Sequence, residues 1–133
     1  MRIVIDTNVI ASAIYFGGKP FVLLRRVMED KVNVLASKEI VDEYEEILLR
    51  LQNKYPSFNT KIPFQTLLSK FEIIHVSSDV HISRDPDDDK FISCAVDGKC
   101  LYIASGDDDL LSIGSYEGIE ILTVGAFLER FGE

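Results

Sequence analysis

Four aspartates stand within five consecutive positions of the segment SRDPDDDKFISCA, residues 83–95. They are Asp85, Asp87, Asp88 and Asp89, and an apolar segment follows them directly. The whole chain already carries a formal net charge of −8, and like charges packed together lower the stability of a fold. Carboxylate oxygens are hard ligands that suit Mg²⁺ or Mn²⁺. The cluster therefore raises the hypothesis of a divalent cation site.

An EF-hand calcium loop does not explain the cluster, although Asp85, Asp87 and Asp89 match positions 1, 3 and 5 of that loop. Position 6 is Lys90, where a glycine is needed for the turn. Position 12 is Val96, where a glutamate should bind the ion. The calcium-loop interpretation is therefore rejected.

Helix capping explains only part of the cluster. Acids before and in the first turn stabilise a helix N-terminus, and this accounts for one or two of the four aspartates. Asp88 and Asp89 precede Ile92 by four and three residues, so either can point inward with the apolar face. Periodicity alone does not choose between them.

Two further acids follow predicted strands at their carboxyl ends. Asp6 comes directly after RIVI, and Asp107 follows LYIAS and one glycine. Ligands of open parallel sheets bind beyond the carboxyl ends of the strands, so the two acids would share one crevice if their strands are neighbours. Asp109 can project into the same site from the turn SGDDDLL, whereas Asp108 is expected to face solvent.

A long helix is predicted from an N-cap at Ser37 to about Asn53. Its apolar stripe consists of Ile40, Tyr44, Ile47, Leu48 and Leu51. At helical spacing Glu43 falls roughly 80° from the centre of that stripe, nearer than any other acid of the helix. Asp42, Glu45 and Glu46 are expected to form a solvated face.

Short apolar segments alternate with helical ones along the chain. The predicted strands are RIVI, KVNVLAS, FEIIHV, LYIAS and IEIL. The predicted helices are NVIASAIYF, a helix from Lys19, the helix from Ser37, about 62–70, about 88–97, a turn at DDDLLSI and a closing helix VGAFLERF. This alternation predicts an α/β fold with a parallel sheet covered on both faces.

The bulk composition limits the classes of function. The 133 residues suffice for one domain, and no apolar run reaches the roughly 20 residues that span a bilayer. Asp6 interrupts the apolar start MRIVIDTNVI, so we expect a cytoplasmic protein without a membrane partner. The acidic balance argues against simple electrostatic capture of nucleic acid, but not against an enzyme whose acidic site holds metal ions.

Four motifs in order resemble the PIN domain family: IDTNVI, a glutamate within a helix, DPDDDKFISCAV and IASGDDDLL. More narrowly, they resemble the toxin-component group related to VapC toxins. The resemblance extends to the terminal GIEILTVGAFLERF. It implies a single PIN-like nuclease domain over residues 1–133, built as a three-layer α/β/α sandwich with a central parallel sheet.

The resemblance also implies the catalytic and metal-binding acids. These are Asp6, Glu43, Asp89 and Asp107. Asp89 matches the third family acid because its 18-residue step to Asp107 fits the family's spacing, and Asp88 is the alternative. Asp109 is implied as an additional metal ligand.

Two polar residues are implied to support these acids. Asn8 and Ser105 match the residues that orient the acids or a water molecule in the family. Serine stands at position 105 where threonine is common, but the hydroxyl group is kept.

The implied function is a Mg²⁺- or Mn²⁺-dependent endoribonuclease that cleaves single-stranded RNA, as the toxin of a toxin–antitoxin pair. Its implied partners are an RNA substrate, an antitoxin protein and a second copy of the chain in a homodimer. The alternative is a non-catalytic interaction module with the PIN fold. A phosphatase of the Asp-x-Asp type is disfavoured, because Asn8 occupies the position of its second aspartate.

Overall fold

A computed structural model describes residues 1–132, and a six-stranded sheet lies at its centre. The strands are β1 (Arg2–Ile5), β2 (Asn33–Ala36), β3 (Glu72–Ile73), β4 (Tyr102–Ala104), β5 (Ser115–Tyr116) and β6 (Ile119–Leu122). Their order across the sheet is β3-β2-β1-β4-β6-β5. The pairs are parallel except β5 with β6.

Helices flank the sheet in a PIN-like sandwich, as the sequence predicts. They are α1 (Thr7–Phe16), α2 (Gly18–Met28), α3 (Lys38–Lys54), α4 (Phe64–Leu68), α5 (Asp89–Asp97), α6 (Asp108–Leu111) and α7 (Val124–Phe131). A short 3-10 turn, Pro86–Asp88, directly precedes α5. Helix α5 contacts β1, β2 and β4, while α3 contacts both α5 and α1.

The central strands are buried on both faces. In β1 the three consecutive residues Ile3, Val4 and Ile5 have no exposed surface. A strand with only one covered face would alternate apolar and polar residues, so this uninterrupted burial is what a parallel sheet between helices requires. The predicted strands RIVI and LYIAS are confirmed at the centre of the sheet.

The two edges of the sheet differ from the sequence prediction. FEIIHV forms only the two-residue β3, both of whose residues are exposed. Strand β5 was not predicted, and it pairs with β6 as an antiparallel hairpin. The turn between them has positive φ at Glu117 (48°) and Gly118 (83°), which is typical of a two-residue hairpin turn.

Close packing at Gly98 brings α5 near the sheet. The helix ends at Asp97, one residue before this glycine, as predicted. A Cβ atom at position 98 would lie 2.5 Å from Leu35 Cδ2 and 3.0 Å from the Cys94 carbonyl oxygen. A larger residue would push against the fully buried Leu35, so the glycine lets the C-terminal end of α5 pack closely on β2.

Within residues 1–132, no single helix is long and apolar enough to cross a membrane. Helices α1 and α2 meet the length and composition criteria only as a pair, which is bent by 98°.

Candidate metal centre

The chain reverses its direction of travel across the sheet between β1 and β4. From β1 it proceeds outward to β2 and β3, then returns to β4 on the other side of β1. Ile5 pairs with Ala104, so these two strands end side by side. In open α/β sheets a ligand crevice forms at this kind of position.

An open crevice of about 340 Å³ lies there. Seven of the ten residues that line it are acidic, and none of those ten is basic. The acids are Asp6, Glu43, Glu46, Asp85, Asp87, Asp88 and Asp107. Asn8 also lines the crevice at an exposed position, and its supporting role stays a prediction. A larger cavity of about 600 Å³ lies beside Leu48, but its lining is mostly uncharged.

Asp6 is the most buried acid of the crevice, with 4% of its surface exposed. Its backbone N–H donates to the Ala104 carbonyl oxygen at 2.9 Å, which holds the residue against the end of β4. Burial raises the pKa of Asp6, and the carboxylates of Asp107 and Glu43 raise it further. Hydrogen bonds from Ser105 and from the Thr7 backbone act in the opposite direction. The ionised form of Asp6 is therefore costly until a cation binds.

Ser105 links two of the acids, and its side chain is fully buried. Its hydroxyl donates to Asp6 Oδ2 at 2.8 Å and accepts from the Asp107 backbone N–H at 2.9 Å. Asp107 in turn caps α6, because its Oδ2 accepts from the Leu110 backbone N–H at 3.1 Å. One hydroxyl thus fixes the relative position of the acids at the ends of β1 and β4.

Glu43 enters the crevice from α3, as its helical phase predicts. Its carboxylate is half-buried, whereas Asp42, Glu45 and Glu46 are exposed. Thr7 Oγ1 donates to Glu43 Oε2. The next residue, Tyr44, is fully buried, and its hydroxyl donates to the carbonyl oxygen of Ile5. These two bonds attach α3 to the end of β1, and so bring Glu43 to Asp6.

The placement of Asp89 differs from the prediction. Its carboxylate is buried and turned away from the crevice, where its Oδ1 accepts from the backbone N–H groups of Ile82 (3.2 Å) and Ser83 (2.8 Å). Asp88, the alternative, lines the crevice instead. The geometry therefore selects Asp88 as the inward acid and gives Asp89 a structural role in holding the preceding loop.

Asp88 lies against the other acids of the crevice. Its partial burial, a hydrogen bond to the Asp107 carboxylate and the charges of Asp107, Asp6 and Asp85 raise its pKa to about 7. A carboxyl group with this pKa keeps its proton in part of the population near pH 7, because ionisation beside Asp107 is unfavourable. A cation at this position would displace the proton, because it stabilises the ionised form.

Asp109 lies at the margin of the site. Its carboxylate has an oxygen within 4.8 Å of oxygens from both Asp85 and Asp88, so the three could share an ion. Asp109 Oδ1 also forms an ion pair with Arg84 at 2.8 Å. Asp108 is exposed, as expected. The predicted role of Asp109 as an additional ligand stays a prediction.

Sequence reasoning did not single out Lys90 or Thr7 for the site. Lys90 Nζ lies 2.7 Å from Glu43 Oε1, and only 10% of the lysine side chain is exposed. Lysine is almost never buried unless it is paired. The position of Lys90 directly after the run of aspartates could have indicated this pairing, because a cluster of negative charges favours a positive side chain nearby.

The donor set of this crevice fits a hard divalent cation. Asp6, Glu43, Asp88 and Asp107 offer only carboxylate oxygens, and neither cysteine nor histidine lines the crevice. Mg²⁺ and Mn²⁺ prefer such ligands. The raised pKa values of Asp6 and Asp88 show that the metal-free arrangement is electrostatically unfavourable.

Comparison with known proteins shows which sequences this chain resembles. The sequence model of the PIN domain family matches residues 2–109. A protein of Methanocaldococcus jannaschii, uncharacterized protein MJ1680, is 32% identical over 117 residues. That alignment covers 85% of this chain and 75% of the archaeal protein.

Proposed function

The chain belongs to the PIN domain family, whose fold is generally a nuclease fold, and on that premise we propose a Mg²⁺- or Mn²⁺-dependent endoribonuclease that cleaves single-stranded RNA. The convergence of Asp6, Glu43, Asp88 and Asp107 in one crevice carries the proposal. Carboxylates from four separate segments suit a divalent ion that activates a phosphodiester.

The residues of such a site would have different roles in binding the ion and in positioning its ligands. A bound ion would polarise the phosphodiester and lower the pKa of a water molecule. Asp6 and Asp107 would hold the ion, because the backbone of each is fixed. The Asp6 N–H donates to the Ala104 carbonyl oxygen, and Asp107 caps α6 and donates its N–H to Ser105. Ser105 would keep their oxygens in place through its two hydrogen bonds. Glu43 and Asp88 would complete the acidic wall.

Charge explains why an acidic protein can act on RNA. Without a cation, the crevice repels a phosphate backbone. An ion held between the acids would attract the phosphodiester at the point where it must lie. The rest of the negative surface would still repel RNA and keep its affinity for the protein low. The protein should therefore need the metal ion to bind RNA as well as to cleave it.

A circular single-stranded RNA is the substrate that tests the proposal, because it has no ends for an exonuclease. With Mn²⁺ or Mg²⁺ the protein should linearise the circle, and EDTA should stop the reaction. Asp6→Asn and Asp107→Asn should lower the rate at least 100-fold, which corresponds to about 2.7 kcal/mol of lost transition-state stabilisation. Circular dichroism spectra should stay unchanged.

Glu46→Gln is the matched control variant. Glu46 lines the crevice but is exposed and paired with Arg50 at 3.0 Å, so the change removes one charge without removing a held ligand. Its rate should stay within a factor of three. All variants must be purified in parallel to expose contaminating nucleases. Equal cleavage by the unchanged protein and Asp6→Asn would refute the proposed nuclease activity and favour the non-catalytic interaction module.

The toxin role, with an antitoxin and a homodimer as partners, is part of the same proposal. An exposed aromatic group formed by Phe16, Tyr55 and Phe58 supports a protein partner, because apolar side chains clustered at a surface favour association. Expression should arrest growth of a bacterial host, and Asp6→Asn should not. Light scattering should give twice the mass of one chain. The mass of a single chain would refute the homodimer.

A further inference from the structure

Lys90 is held beside the acidic crevice by three contacts. Its Nζ lies 2.7 Å from Glu43 Oε1 and donates to the Asp87 carbonyl oxygen at 2.5 Å. It also lies 5.3 Å from the ring centroid of Phe91. A lysine on the surface would move freely among rotamers, whereas this one is nine-tenths buried and fixed.

Both carboxylate oxygens of Glu43 are engaged in this arrangement. Oε1 faces Lys90, and Oε2 accepts from Thr7 Oγ1. The carboxylate therefore has one defined orientation even without an ion. Since Lys90 lies outside the lining of the crevice while Glu43 lies within it, the ammonium group approaches the acids from behind.

We infer that Lys90 is a positioning residue that orients Glu43 and supplies the acidic crevice with a fixed positive charge. This inference rests on the proposed metal site. The charge offsets part of the repulsion among the acids, and it also weakens divalent cation binding, because like charges a few ångströms apart repel strongly in a partly buried site. Lys90 thereby sets the metal affinity and the direction of Glu43 together.

The test is Lys90→Met, which keeps the chain length and removes the charge. Titration calorimetry with Mn²⁺ alone should show affinity about tenfold tighter than in the unchanged protein, as expected for a lost like charge nearby. Single-turnover RNA cleavage at saturating Mn²⁺ should fall at least tenfold, because Glu43 is no longer oriented. A purely structural role would not produce tighter binding with slower cleavage.

Lys38→Met is the matched control. Lys38 is 86% exposed and paired with Asp42 on α3, so its removal changes the net charge equally but should shift Mn²⁺ affinity less than twofold. If Lys90→Met does not fold, Lys90→Met with Glu43→Gln removes both partners and leaves no unpaired buried charge. That double variant should bind Mn²⁺ several-fold more tightly than Glu43→Gln alone.

Unchanged or weaker Mn²⁺ affinity in folded Lys90→Met would overturn the role of Lys90 and leave the metal site standing. Equal affinity of the double variant and Glu43→Gln would overturn it as well. Absence of Mn²⁺ binding in the unchanged protein would refute the metal site and this inference together.

Discussion

Replacement of Asp6 by asparagine is expected to stabilise the metal-free protein and to remove its response to metal. Asp6 is buried beside Asp107 and Glu43, and its pKa is raised mainly by burial. A raised folded-state pKa means that stability is lost as pH rises through that pKa, since the folded protein must then hold an unfavourable charge. Asparagine cannot ionise, and its amide oxygen can still accept from Ser105.

The magnitudes follow from these contacts. In EDTA at pH 8, the free energy of unfolding of Asp6→Asn should be higher by about 0.5–2 kcal/mol, the range that single stabilising substitutions commonly give. Mn²⁺ at 100 times its dissociation constant should stabilise the unchanged protein by about 2.7 kcal/mol. For a chain of this size that corresponds to a rise in melting temperature of roughly 10 °C. In Asp6→Asn the rise should be below about 2 °C.

Differential scanning calorimetry measures both effects. Asp42→Asn serves as the control, because Asp42 is exposed and pairs only with Lys38, and its metal response should match that of the unchanged protein. An equal rise in the melting temperature of Asp6→Asn and of the unchanged protein with Mn²⁺ would show that Asp6 does not bind the ion. Lower stability of Asp6→Asn in EDTA would equally contradict the repulsion among the acids.

Three other measurements test the geometry. Tyr44→Phe removes the donor to a buried carbonyl and should lower the free energy of unfolding by about 1–3 kcal/mol, whereas Tyr15→Phe, whose contact is 3.4 Å long, should cost less than about 0.5 kcal/mol in urea titrations. The pKa of Asp88 is raised to about 7, so a bound metal ion must displace its proton. Mn²⁺ affinity measured by calorimetry should therefore fall by up to about tenfold per pH unit below pH 7. An affinity that stays constant from pH 8 to pH 6 would contradict this. Asp88→Asn should weaken Mn²⁺ binding and slow cleavage, whereas Asp89→Asn should lower stability and keep Mn²⁺ affinity; the reverse result would restore Asp89 to the site.

Local sequence patterns predicted the parts of this fold that depend on near neighbours. Uninterrupted apolar segments identified the buried strands, and the acids that follow their carboxyl ends, Asp6 and Asp107, were placed at one edge. The phase of α3 turned Glu43 inward because its stripe of apolar residues is regular. These features follow from helical and strand periods alone.

The remaining features depend on three-dimensional geometry that the helical or strand spacing of apolar residues does not predict. A 3-10 turn precedes α5, so the phase of the helix does not extend back to Asp88, and the orientations of Asp88 and Asp89 could not be separated. Strand β5 has only two residues and is defined by its hairpin turn rather than by apolar alternation. The Lys90–Glu43 pair joins residues far apart in the chain, so only the packing of α5 beside α3 reveals it.

An anomalous difference map from crystals grown with Mn²⁺ would locate the bound ion. We expect a peak in the crevice at about 2.1 Å from carboxylate oxygens of both Asp6 and Asp107, with Asp88 bound directly or through water. A peak confined to Asp89, or to Asp85 and Asp109 at the margin of the site, would contradict the assignment. An empty crevice at saturating Mn²⁺ would contradict the metal site itself.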